Sequence, residues 1–141
     1  MHTRLLNISE AATIAIHAMV YIARQNGKKT SAKQISAFYG MSVHHLSKVL
    51  RKLVVSDLLS VSKGPTGGFY FTDEQLKTSF MDIFRAIEGN VSLDACLFAT
   101  TNCPKDMCMF CDLVVNVNNE FEKYFNKTQL RHFVKKPKKS A

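Results

Sequence analysis

All four cysteines of the 141-residue chain fall within sixteen positions, CLFATTNCPKDMCMFC, residues 96–111. Cys96, Cys103, Cys108 and Cys111 give the spacing C-x6-C-x4-C-x2-C. Four thiolates gathered in water repel one another, so the pattern asks for a positive centre among them. Zinc held by four sulfurs meets that requirement, as does an iron-sulfur cluster of the 2Fe-2S or 4Fe-4S type. Zinc sites more often carry two C-x2-C knuckles, and only Cys108 and Cys111 form one here, which tilts the spacing slightly toward iron. A thiol-redox enzyme using Cys108-Met109-Phe110-Cys111 would need a thioredoxin-like βαβ setting, and no such pattern surrounds it.

At 15.9 kDa the chain is long enough to bury a core as one domain without disulfide staples. Its most apolar stretch, ISEAATIAIHAMVYIA (residues 8–23), contains Glu10 and His17 and lacks a small-x-small cleavage site. It also falls short of the ~20 apolar residues of a membrane span. The expectation is therefore a buried helix of a soluble, cytoplasmic protein with no membrane partner. In that reducing compartment clustered cysteines read as metal ligands or redox groups, not structural bridges.

Charge is segregated along the chain. From Arg24 to Lys63 eight basic residues face Asp57 alone, whereas from Asp73 to Glu122 nine acids face Lys77, Arg85 and Lys105. Basic residues return from Lys123 onward, ending in the tail KKPKKSA. A basic module invites a polyanion, and its internal organisation says which.

Ser31 opens SAKQISAFYG with Gln34 three residues on, a capping box, and Gly40 supplies the permissive backbone that ends a helix. Ser42 then caps a second helix, VHHLSKVLRKLVVSD, with Leu46, Val49, Leu50 and Leu53 along one face and His44, His45, Ser47, Lys48, Arg51 and Lys52 opposite. Two short helices about a tight turn, the second amphipathic with a basic outer face, describe a helix-turn-helix. The β-prone runs LLSVS and FYF follow, separated by the turn formers of KGPTGG, so the motif carries a wing. A phosphate-loop reading fails, because no G-K-[ST] ends the glycine run and a strand follows it. These features predict double-stranded DNA as the partner. Ser42, His44, His45 and Ser47 would read base edges, Lys48, Lys52 and Lys63 would neutralise phosphates, and Gly64 and Thr66 would lie at the wing tip.

Beyond the wing, SFMDIFRAIEGN predicts a helix capped by Ser79 with Asp82, striped by Phe80, Ile83, Phe84 and Ile87, and stopped by Gly89. After the cysteines, DLVVNVNNEFEKYF places Val114, Val117, Phe121 and Tyr124 at 3-4-3 spacing, the seam of a helix that pairs with another. The fold expected is mainly α with a small β-hairpin. A winged helix-turn-helix spans residues 1–76, the cysteine loop and dimerisation helix 77–134, and a basic tail 135–141. A homodimer would match a palindromic operator.

From about Leu6 to Val134 the order and spacing of these blocks resemble the winged-helix iron-sulfur transcriptional regulators of bacteria, the IscR/NsrR type. The resemblance is carried by AATIAIHAMVYIA, ISAFYGMSVHHLSKVLRKL, VSKGPTGGFYF, DIFRAIEG, the cysteine loop and the pairing helix. It implies a homodimeric transcription factor, not an enzyme, whose promoter affinity follows the state of a cluster. Cys96 and Cys108 match the family's first and third cysteines, and Cys103 the middle one displaced by one residue. Cys111 stands where the cluster-assembly regulator has a histidine ligand, which implies an all-cysteine site. Where some members supply a carboxylate from the partner's first helix this chain has Thr13, with His17 nearby. Lys63 replaces the arginine that many relatives carry before the wing's Gly-Pro, and a lysine cannot form the same bidentate fork.

Overall fold

The computed structural model describes residues 8–90, 106 and 108–135. Helix α1 (Glu10–Ala23) starts where Ser9 Oγ accepts the Ala12 N–H at 3.1 Å. Ala12, Ile14, Ala15, Ala18, Met19 and Ile22 are all buried, so α1 is the strut on which the third and fourth helices and the end of the chain pack. Helix α2 (Ala32–Tyr39) has the reciprocal cap: Gln34 N–H donates to Ser31 Oγ at 3.2 Å and Ser31 N–H donates to Gln34 Oε1 at 2.8 Å. Gly40, in the left-handed conformation with φ +67°, ends it and turns the chain into helix α3 (Val43–Val55). Leu46, Val49, Leu50 and Leu53 bury the inner face of α3 against α1 and α2.

The wing is an antiparallel pair, β1 (Ser60–Ser62) and β2 (Gly68–Tyr70), with Ser60 opposite Tyr70 and Ser62 opposite Gly68. A third edge joins it: Thr30 N–H donates to Phe69 O at 3.0 Å and Phe69 N–H to Thr30 O at 2.8 Å. Gly68 permits this approach, since a Cβ there would lie 2.9 Å from the Thr30 nitrogen.

A short 3-10 turn, Gln75–Lys77, closes the wing's root. Gln75 is buried and works as a clamp. Its Oε1 accepts from Ser60 Oγ at 2.9 Å and from Thr72 N at 3.0 Å, while its Nε2 donates to Asp57 O at 3.2 Å. One side chain thus ties the end of α3, the start of β1 and the exit from β2.

Helix α4 (Phe80–Glu88) carries the Ser79–Asp82 capping box and inserts Ile83 among the buried residues of α1 and α3. Helix α5 (Cys111–Lys127) packs on α4. The chain then returns beside the start of α4: Phe80 N–H donates to Thr128 O at 2.9 Å and Leu130 N–H to Thr78 O at 3.0 Å. A terminal 3-10 turn (Leu130–Phe133) buries Leu130 in the main core and stacks Phe133 on Phe80 at 5.6 Å.

The four-residue seam expected on α5 divides. Phe121 is the one buried residue of the helix and packs on its own chain, in a second cluster with Ala12, Met81 and Phe84. Val114 and Val117 are half-buried and Tyr124 is exposed. The 3-4-3 spacing is real, but its C-terminal anchor serves the intrachain contact.

Candidate nucleic-acid interface and metal centre

Burying Leu46, Val49, Leu50 and Leu53 obliges the rest of α3 to face outward. Ser42, His44, Ser47, Lys48 and Arg51 are exposed and His45 is half-buried. At 100° per residue, His44, Lys48 and Arg51 share the centre of the outer face, with Ser47 and His45 on its two flanks. Ser42 Oγ accepts the His45 N–H at 3.4 Å, so this hydroxyl serves first as the helix cap. Lys63, Gly64 and Thr66 are exposed at the wing tip, where Gly64 adopts φ +100°.

Lys52 is placed differently from its neighbours. Its Nζ donates to Ile87 O at 3.0 Å, capping the C-terminal end of α4. A cation there interacts favourably with the helix's terminal carbonyls. The recognition helix is thereby linked to the last turn of the element that runs on toward the cysteines. Lys52 therefore points along the flank of α3 that meets α4, and Arg51 is the cation central to the outer face. The same helical spacing that buries Leu50 and Leu53 would have singled out Arg51.

Cys96 and Cys103 lie outside the described residues. Cys108 is half-buried, Cys111 is exposed at the first position of α5, and Cys111 N–H donates to Cys108 O at 3.5 Å. The knuckle is thus a turn that sets both thiols at the N-terminal end of α5. Among the described residues no third His, Cys, Asp or Glu joins them in a metal-sized group. Soft sulfur donors on a turn fit iron-sulfur or zinc ligation, with the further donors supplied from elsewhere. Thr13 and His17 are exposed on α1 and occupied locally: Thr13 Oγ1 donates to Ser9 O at 3.0 Å, and His17 Nδ1 lies 2.7 Å from Thr13 O. His17 meets the edge of the Tyr39 ring at 5.4 Å. Burial pushes the Tyr39 phenol above its ordinary pKa of 10.0, against the lowering effect of the Arg24 cation and with a smaller rise from Tyr21.

A capped helix pair, an outward basic face and a three-edged wing define a winged helix-turn-helix regulator. Residues 8–136 match the Rrf2 family, described as iron-dependent transcriptional regulators, and the chain belongs to that family. It is 29% identical over 83 residues to the HTH-type regulator BadM of Rhodopseudomonas palustris, a match covering 59% of this chain and 53% of that protein. It is 26% identical over 98 residues to the regulator NsrR of Shouchella clausii, covering 69% of this chain and 66% of that one. The matches thus span about half to two thirds of these relatives' length. The fold is shared with CymR, the global cysteine regulator of B. subtilis, at TM-score 0.73 and 21% identity over 92% of this chain and 96% of that one. T. potens IscR shares it at TM-score 0.65 and 21% identity, over 89% and 83%. No helix among the described residues is long and apolar enough to cross a membrane.

Proposed function

We propose that this transcriptional regulator grips a palindromic promoter as a homodimer, and that an iron-sulfur cluster held by Cys96, Cys103, Cys108 and Cys111 sets the strength of that grip. The observation that carries the reading is the Cys108–Cys111 turn at the N-terminal end of α5, in a chain whose family is described as iron-dependent transcriptional regulators. The cluster would supply iron that responds to oxidants, nitric oxide, oxygen or iron supply. The chain acts by binding, not by catalysis, and does so in the cytoplasm.

Residues 1–76 hold DNA. Ser42, His44, His45 and Ser47 bear on base edges in the major groove, Lys48, Arg51 and Lys63 on phosphates, and Gly64 and Thr66 bring the wing tip close. Lys52 adds its charge to the same helix while holding the end of α4. Residues 77–134 carry the cysteines and the pairing helix, and residues 135–141 add nonspecific affinity. Pairing through the first half of α5 is supported by Leu113 and Val115, about half exposed, beside the half-buried Val114 and Val117.

If the two recognition helices are correctly separated in only one loop arrangement, the state of the sulfur ligands shifts the dimer between competent and incompetent populations. A coupling of ~1–3 kcal/mol changes promoter affinity ~5–150-fold. Anaerobic purification with a visible spectrum and counts of iron, sulfide and zinc tests the reading. A brown protein with iron and sulfide, whose promoter binding changes when iron is removed, is the expected result. Cys108→Ala or Cys111→Ala should abolish cluster assembly and leave a folded dimer. A colourless protein with one zinc per chain, or binding indifferent to iron removal, would refute it.

A further inference from the structure

From Ala11 to Ser56 the chain contains no aspartate or glutamate, yet the basic residues of this run extend beyond the recognition helix. Lys29 and Lys33 flank Thr30, the residue that pairs with Phe69 of the wing. Because that pairing is antiparallel, the chain through Thr30 heads from the wing's root toward its tip before α2 begins at Ala32. Lys29 Nζ sits 5.5 Å from the centre of the Tyr70 ring, which holds its charge beside the wing sheet. Lys33 is exposed in the first turn of α2. Neither lysine is ion-paired among the described residues, where the one side-chain pair is Lys77 with Glu74. Lys28 differs, because it lines a cleft of about 490 Å³ together with Asp73 and so shares its surroundings with a carboxylate.

We infer that Lys29 and Lys33 form a second, sequence-blind grip on duplex DNA, bearing on phosphates beside those reached by the wing tip. This rests on the DNA-binding reading above and extends it to two lysines outside the recognition helix and the wing tip. The wing is then a hairpin braced on its outer edge by a cationic ridge, and the backbone crosses both. Each phosphate neutralised releases counterions, so each lysine adds about 0.9 to the slope of log affinity against log salt. Such contacts carry no base preference.

The test uses the full chain and a duplex that the wild-type protein itself selects from a random library. Salt slopes are measured by fluorescence anisotropy for wild type, K29Q/K33Q, K29R/K33R and K77Q. The inference predicts that K29Q/K33Q flattens the slope by about 2 and leaves the ranking of single-base operator variants unchanged. K29R/K33R should keep the wild-type slope, and K77Q, whose lysine is paired to Glu74, should not alter it. Binding by the wild type with a slope that K29Q/K33Q leaves intact would overturn the inference and spare the DNA reading. A change in base ranking would overturn it too, by making the contact specific. A wild-type chain that selects no duplex would overturn both. Lys29, Lys33 and Lys77 are all exposed, and matching circular dichroism spectra confirm that the variants are folded.

Discussion

Replacing Phe121 by alanine separates intrachain packing from pairing across a two-fold axis. Only 9% of Phe121 is exposed, and its ring lies 4.1 Å from that of Phe125 and 5.5 Å from that of Phe84, edge-on to the latter. Truncating a buried phenylalanine costs about 3–5 kcal/mol through lost transfer energy and residual cavity. The cluster here holds four buried residues and sits under a single helix, so it can partly collapse. The lower end, ~3 kcal/mol, is the appropriate expectation. For a chain of this length that lowers the unfolding midpoint by about 10 °C. The assay is thermal unfolding by circular dichroism, in the wild-type background and in V114D/V117D, at equal protein concentration. A midpoint drop surviving in the second background places Phe121 in its own subunit's core. A drop under about 3 °C, or one that vanishes once Val114 and Val117 are charged, would refute the packing described here.

The V114D/V117D pair by itself should turn the proposed homodimer into a monomer in sedimentation velocity while leaving helical content unchanged, because both valines are only half-buried in the single chain. Gln75→Ala should cost ~2 kcal/mol in denaturant unfolding, since Ser60 Oγ and the Asp57 carbonyl both lose their partner at the wing's root. Gly68→Ala should free the Thr30 edge, seen as faster hydrogen exchange at Thr30 and Phe69, because the added methyl meets Thr30 backbone at 2.9–3.1 Å. Tyr39→Phe should flatten the alkaline loss of stability. With the folded phenol raised above 10.0, the unfolded chain releases its proton first, so Tyr39's contribution is intact below that pH and disappears as pH climbs through the folded value. Chemical denaturation between about pH 9 and 11 measures the difference.

Much of the architecture was legible because local chemistry and global packing agree. Ser31 with Gln34, Ser79 with Asp82 and the Ser42 cap stand where capping rules put them, and the inner stripe of α3 is buried as its spacing requires. What escaped are contacts without periodicity. One residue, Thr30, makes the wing's third edge, and a single bridge leaves no alternating pattern. Gln75 is a polar residue in a polar run, and nothing local distinguishes a clamp from a solvated side chain. Phe121 misled for the opposite reason: a stripe on α5 records that something apolar covers it, and α4 was as eligible as a second α5. On α3, the spacing of Leu46, Val49, Leu50 and Leu53 located the face that turns outward. Helical angle alone could not foresee that Lys52 reaches the carbonyl of Ile87.

Among the described residues, the anchors of α5 gather toward its C-terminal end. Its C-terminal end is pinned by Phe121, by the backbone bonds of Thr128 and Leu130, and by the buried Leu130, while Cys111 begins the opposite end ten residues before Phe121. At 1.5 Å per residue the arm from fulcrum to thiol is ~15 Å. A tilt of only ~5° about the phenylalanine would carry the sulfur more than 1 Å, half the length of a metal–sulfur bond. If the proposed cluster is held there, the helix would act as a pointer, turning a change in bond lengths at its tip into a small rotation against α4, one helix away from the outward face of α3.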